Sequence, residues 1–133
     1  MPKDRVNAPF IFITTHTVKH GRLEDLEALN AEFVDFVERH EPELIGLHAY
    51  LSEDRTRLTL IQIHPDADSL EHHLRVAGDK IHEAFELVDN ERVDAYGSPG
   101  ETARSLLEQL RAAGIGVAVN PAPMGGLARY AVT

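Results

Sequence analysis

The sequence predicts an α+β fold in which four antiparallel strands and two helices succeed one another as β-α-β-β-α-β, the ferredoxin-like split βαβ order. Three observations carry it. The apolar period switches repeatedly between strand-like and helical spacing. Pro42 and Pro65 punctuate the switches. A turn cluster, Gly97-Ser98-Pro99-Gly100, closes the pattern before a C-terminal extension.

Phe10 to Val18 is rich in β-branched and aromatic residues and reads as a first strand ending before Gly21. From Arg22, residues Leu23, Leu26, Leu29, Phe33, Val34 and Val37 hold helical spacing up to about His40. Acidic residues crowd the opening turns and Arg39-His40 close the helix, as its dipole prefers. Leu44 to Leu51 and Arg57 to His64 form a hairpin around the polar turn Ser52-Glu53-Asp54-Arg55. A second helix runs from about Asp68 to Val76, and after Gly78-Asp79 a helical stretch continues through Ile81, Ala84, Phe85 and Val88. Val93 to Tyr96 reads as a short last strand. The extension adds a helix through Thr102, Leu106, Leu107 and Leu110, with Gly114 as its C′ residue. A strand-like run, Ile115 to Val119, and a tail from Asn120 to Thr133 complete it. The organisation expected is a body, 1–97, and an extension, 98–133, packed on the same domain. The tail is expected either to lie across a partner subunit or to be a disordered terminus.

Composition narrows the function classes. The 133 residues carry a net charge of −9, eight histidines, no cysteine and no tryptophan. Without cysteine there is no disulfide framework, no thiol nucleophile and no Cys-based metal site. An acidic chain is a poor electrostatic match for nucleic acid or for an anionic membrane. The apolar run Ala8 to Ile13 is too short to span a bilayer. The expectation is a cytoplasmic protein with no nucleic-acid or membrane partner. The acidity belongs to the body, which has ten Lys/Arg against twenty Asp/Glu, while the extension has three against two.

Two helices on one face of a four-stranded sheet leave the other face in need of cover. Ile11, Ile13, Ile45, Leu47, Leu60, Ile61 and Ile63 are too many apolar side chains to hide under two helices. A homodimer formed through the sheet face is the natural solution.

Four segments carry a family resemblance. Thr17-Val18-Lys19-His20-Gly21-Arg22, followed by a Leu-spaced acidic helix, resembles the strand–turn–helix opening of the antibiotic biosynthesis monooxygenase family. Glu41-Pro42-Glu43-Leu44-Ile45-Gly46 resembles its Pro-Gly turn, with Glu43 where glycine is usual. Gln62-Ile63-His64 stands where the family often has Glu-x-Trp. Asp68-Ser69-Leu70-Glu71-His72-His73-Leu74 resembles the acidic helix whose histidine precedes a leucine, which puts His73 in that position. The likeness spans roughly residues 9–97. It implies a dimeric α+β barrel and, among the reactions such proteins perform, a cofactor-independent monooxygenase acting on a cyclic or aromatic molecule. His64 in place of tryptophan, and the lack of the first-strand asparagine used by the haem-degrading branch, disfavour a haem oxygenase.

Histidine is the side chain best suited to move protons near neutral pH. His73 and His64 are the catalytic candidates, with His16, His48, Gln62, Phe33 and Phe85 as candidate substrate-binding residues around a pocket between sheet and helices. Strand parity decides which converge. With a two- or four-residue turn at 52–55, His64 and Gln62 share a face with Leu47 and Leu60 while His48 and Tyr50 point away; a three-residue turn reverses this. His20, His40, His72 and His82 read as surface or helix-end residues.

No metal site is expected. Adjacent His72 and His73 project about 100° apart on a helix, and no H-E-x-x-H occurs. Gly114-Ile115-Gly116 follows a helix and lacks the rest of a dinucleotide fingerprint. Nor is there a nucleophile elbow. Two readings remain at this point: an enzyme using histidine acid–base chemistry without a bound cofactor, or a non-catalytic dimer that binds a small molecule or is purely structural.

Overall fold

Alternating burial along β1 (Phe10–Val18) sets the architecture: Phe10, Phe12, Thr14 and His16 are buried while the residues between them are half-buried. In the computed structural model, which describes residues 8–129, β1 is the central strand of a five-stranded sheet. The remaining elements are α1 (Leu23–His40), β2 (Gly46–Leu51), β3 (Arg57–His64), α2 (Ala67–Val76), α3 (Gly78–Ala84), β4 (Val88–Tyr96), α4 (Glu101–Ala112) and β5 (Gly116–Asn120). The strand order is β2-β3-β1-β4-β5. The first four strands are antiparallel neighbours, and β5 runs parallel to β4.

The α+β, ferredoxin-like fold class therefore stands, with a sheet that is open, mixed and one strand wider than the sequence pattern indicated. The added strand comes from the extension: Val117 and Val119 pack against the core that contains Val93 and Ala95. β4 also begins five residues earlier than expected, at Val88. Asp89-Asn90-Glu91-Arg92 has little strand propensity, yet pairing with β1 holds it in the sheet, a case of tertiary context overriding local preference. The helical stretch read through Val88 accordingly stops at Ala84.

A register shift between Thr15 and His16 interrupts the β1–β4 ladder: Thr15 faces Arg92, but His16 faces Asn90. Glu91 is the extra residue of this bulge. Strand parity along β4 is thereby reversed, so that Val93 and Ala95 on one side and Val88 and Asn90 on the other all face the helices.

The hairpin closes with Leu51 opposite Leu58 and an even number of residues between them. Asp54 ties it together by accepting from the Ser52 hydroxyl (2.8 Å) and from the Thr56 amide (3.1 Å) and hydroxyl (2.7 Å). Parity then puts Leu47, Ala49 and Leu51 on the helix face and His48 and Tyr50 on the other. That other face shows Ile11 opposite Ile63 and Ile13 opposite Ile61, all half-buried. The tail expectation reaches Thr133, but 130–133 lie outside the described residues; residues 121–129 are exposed.

Two apolar clusters form between sheet and helices. Phe10, Phe12, Leu70, Val93, Ala95, Ala103 and Leu107 make one, and Leu26, Leu58, Leu87 and Val88 the other. They do not merge, because a cavity lies between them. No helix among the described residues is long and apolar enough to cross a membrane.

Candidate active site

The cavity has a volume of about 100 Å³ and takes its walls from both clusters, with Phe12 and Val93 on one side and Leu26, Leu58 and Val88 on the other. Helix α4 contributes Leu106 and Leu110, and α3 contributes Ile81 and Ala84. Its lining is overwhelmingly apolar. The polar groups that interrupt it are therefore informative.

His73 is placed there by α2. Asp66 caps that helix by accepting from the Ser69 amide at 2.9 Å, which fixes where the first turn begins. Ser69, Leu70 and His73, at helical i, i+1 and i+4, then form its buried face, while His72 is exposed. The His73 ring has no exposed surface and packs edge-on against Phe33, with centroids 5.7 Å apart.

Its Nδ1 donates to the carboxylate of Glu41, 2.8 Å from Oε1 and 2.9 Å from Oε2. Glu41 sits just past the end of α1, where its own amide bonds to the Val37 carbonyl and Pro42 forbids a further turn. The carboxylate is buried, with a side-chain exposure of 2%. A carboxylate on Nδ1 selects the neutral tautomer whose lone pair is on Nε2, and it stabilises the imidazolium once Nε2 takes a proton. Among the described residues Nε2 has no hydrogen-bond partner. The geometry leaves Nε2 free to accept a proton or a hydrogen bond from a group in the cavity.

His64 lies beside this dyad, its ring centroid 6.0 Å from that of His73. Its Nε2 donates to Gln62 Oε1 at 2.9 Å, and its Nδ1 accepts from the Ser69 hydroxyl at 2.7 Å. Burial, and to a lesser degree repulsion from the nearby His73 ring, pushes its pKa down to about 3. A neutral ring with both nitrogens engaged is fitted to hold α2 against β3 rather than to exchange protons.

At another part of the cavity His16 and Asn90 face each other across the bulge. His16 Nε2 lies 2.9 Å from Thr14 Oγ1, and burial pushes the ring's pKa down to about 4. Neither His16 Nδ1 nor Asn90 Oδ1 has a partner among the described residues.

Against these positions, the sequence-derived candidates divide cleanly. His73, Gln62, His16, Phe33 and Phe85 line the cavity. His48 does not: it pairs with Ile61, is exposed, and belongs to the opposite face of the sheet, because the even hairpin sets its parity outward. His64 is buried next to the cavity without lining it. Several polar groups were missed, among them Thr14, Asn30 and Lys80 on the cavity wall, and two others, Glu41 and Asn90, shape the site. Glu41 had a local signal, an acidic residue before a helix-stopping proline, but nothing that tied it to His73. Asn90 had none, because only the bulge turns it inward.

No protein-family profile matches the chain, and no curated protein sequence matches it. Solved structures do. MupZ from Pseudomonas fluorescens is similar over 92% of this chain and 96% of its own, at 20% identity and a TM-score of 0.72. SnoaB from Streptomyces nogalater, a cofactor-independent oxygenase, is similar over 71% of this chain and 96% of its own, at 18% identity and a TM-score of 0.59. A protein from Chloroflexus aurantiacus, provisionally assigned to the antibiotic biosynthesis monooxygenases, is similar over 71% and 96%, at 12% identity and a TM-score of 0.57. The chain has the fold of the antibiotic biosynthesis monooxygenase-like proteins.

At these identities the likeness is one of fold. Residues 1–97 are 97 of 133 positions, so a match over 92% of the chain reaches into the segment after Gly97. The helix and strand that widen the sheet and wall the cavity are thus shared, in part, with MupZ.

Proposed function

We propose that this protein is a cofactor-independent monooxygenase that takes a proton from a cyclic or aromatic small molecule. The observation that carries the reading is the Glu41–His73 dyad, whose free Nε2 belongs to a largely apolar cavity. The fold shared with SnoaB supports it.

The chemistry asked of the site is modest. A ring CH₂ activated by a neighbouring carbonyl gives up a proton to His73 Nε2, leaving a delocalised carbanion. That anion is electron-rich enough to reduce dioxygen, and the carbon takes up the reduced oxygen as a peroxide. The imidazolium returns its proton as the O–O bond breaks and the second ring hydrogen is lost. The CH₂ becomes C=O, and the other oxygen atom leaves as water. Glu41 holds the imidazole in place and stabilises its charged form; His64, pinned by Ser69 and Gln62, holds α2 in position. Apolar walls favour the ring and exclude competing water.

The working unit we infer is a cytoplasmic homodimer joined through the isoleucine face, its body at 1–97 and its extension, 98–133, closing the cavity of the same domain. Oxygen uptake with anthrone as the probe tests the reaction. The wild type is expected to consume oxygen and form the quinone, with His73→Ala slower by on the order of 10²–10⁴-fold. Equal rates in the two proteins would show that His73 is no base. Binding of anthrone without turnover would leave a binding protein instead.

A further inference from the structure

Among the described residues three buried side-chain atoms lack a hydrogen-bond partner: His73 Nε2, His16 Nδ1 and Asn90 Oδ1. All three residues line the one cavity. Buried polar groups are nearly always paired, and leaving one unpaired destabilises the fold. Three such groups around a single apolar space point to partners that arrive with a ligand. The proposed reaction uses the first. It leaves the other two unexplained.

These two belong together. His16 and Asn90 are direct cross-strand neighbours. Asn90 faces the cavity only because Glu91 is bulged out of β4; with regular pairing its side chain would lie on the far face of the sheet. A bulge that re-aims one polar side chain into an apolar cavity is a built feature. The pair also sits at another part of the cavity from His73: His73 lies beside His64, which faces Phe10, whereas His16 is six positions further along β1.

We propose that His16 and Asn90 form a hydroxyl-binding subsite, so that the substrate is a slender ring system bearing a hydroxyl at the end opposite the proton it loses. The choice of a hydroxyl follows from the inventory of donors and acceptors. Asn90 Oδ1 can only accept. His16 is neutral, and when its Nε2 accepts from the Thr14 hydroxyl its Nδ1 carries the proton and donates. A single group that accepts from Nδ1 and donates to Oδ1 satisfies both, and a hydroxyl does so. In that tautomer a carbonyl would leave Oδ1 unpaired and an ammonium would leave Nδ1–H unpaired. The subsite deepens the monooxygenase reading and rests on it for which end of the substrate reacts.

Calorimetric titration with biphenyl and 4-hydroxybiphenyl tests the assignment on binding alone. The wild type is expected to bind the phenol at least tenfold more tightly than biphenyl. Asn90→Leu should erase that preference, and should not lower the melting temperature, since it removes an unpaired polar atom. His16→Leu is an independent second variant with the same expected loss of preference. Equal affinities in the wild type, a preference that survives both substitutions, or no binding of either probe would each overturn the subsite. Oxygen uptake separates the two readings: a protein that prefers the phenol yet oxidises nothing keeps the subsite and loses the monooxygenase.

Discussion

Both carboxylate oxygens of Glu41 lie within 2.9 Å of Nδ1 of His73, 32 positions along the chain, and neither side chain is appreciably exposed. The contact joins the end of α1 to the buried face of α2 across the mouth of the core. It gives the imidazole one fixed orientation, which a base that must meet a substrate requires.

Removing one partner of such a pair strands the other. His73→Ala leaves a carboxylate buried without its donor and is expected to cost about 3–5 kcal/mol, most of it desolvation with nothing to offset it. Adding Glu41→Ala to that variant should recover part of the loss, because the stranded charge is removed. Glu41→Gln alone keeps the volume but offers an amide to Nδ1, and oxygen uptake is expected to fall by roughly 10–100-fold. Urea unfolding of the two single variants and the double variant measures the coupling. Additive single-variant costs would show that the pair is not a unit.

The other two inward histidines make the fold sensitive to acid. His16 and His64 carry pKa values pushed down to about 4 and about 3 by burial, against 6.5 unfolded, with His73 adding to the shift at His64. Their folded forms are neutral, so the contribution is intact above pH 6.5, where neither state binds the proton. As pH falls below 6.5 the unfolded chain takes up protons that the folded chain refuses, and stability falls until pH passes the folded values. Each histidine accounts for up to about 1.4 kcal/mol per pH unit in that window. Unfolding free energies between pH 7 and pH 4.5 should show this slope, and His16→Gln should roughly halve it, leaving the share of His64. A flat profile from pH 6.5 to pH 5 would contradict the burial of these rings.

What could be read from the sequence follows from where each signal is stored. β1 was legible to the residue because alternation is a property of consecutive positions, and α1 because its leucines and Pro42 are local. The facing of His48 was undecidable because it depends on a hairpin count that shifts by one without changing composition. Strand β4 was truncated because Asp89 to Arg92 is polar and is held by pairing rather than propensity. Glu41 and Asn90 entered the site only through a contact 32 positions apart and through a bulge, neither of which leaves a pattern in one chain.

The link between extension and body can be broken at one point. Helix α4 starts at Gly100, which has no side chain to cap it, and Glu71 on α2 does so instead, accepting from the amides of Thr102 and Ala103 at 2.8 Å each. A Cβ at position 100 would come within 2.8 Å of the Glu71 carboxyl carbon. Glu71→Ala and Gly100→Ala are therefore expected to cost about 1 kcal/mol each, as losses of one N-cap. Together they should cost little more than either alone. Because α4 carries Leu106 and Leu110 to the cavity wall, both variants should also weaken anthrone binding. Full additivity in thermal unfolding would mean that the two residues act separately.

The outward face of the sheet sets the last expectation. Ile11 faces Ile63 and Ile13 faces Ile61 on adjacent strands, and with Tyr50, 63% exposed, they form an apolar patch on the side that no helix covers. Water against such a patch costs about 25 cal/mol per Å², so a second copy laid face to face gains in proportion to what it hides. A stable pair needs roughly 800 Å² from each partner, an area a five-stranded sheet can supply. Ile13→Lys puts a charge at the centre of that contact and a second charge from the other copy close by. Light scattering at micromolar concentration should report a dimer for the wild type and a monomer for Ile13→Lys. The circular dichroism spectrum should not change, because Ile13 contributes nothing to the helix-side core. A wild type that is monomeric at that concentration would refute the sheet-face dimer, and a variant that stays dimeric would move the interface elsewhere.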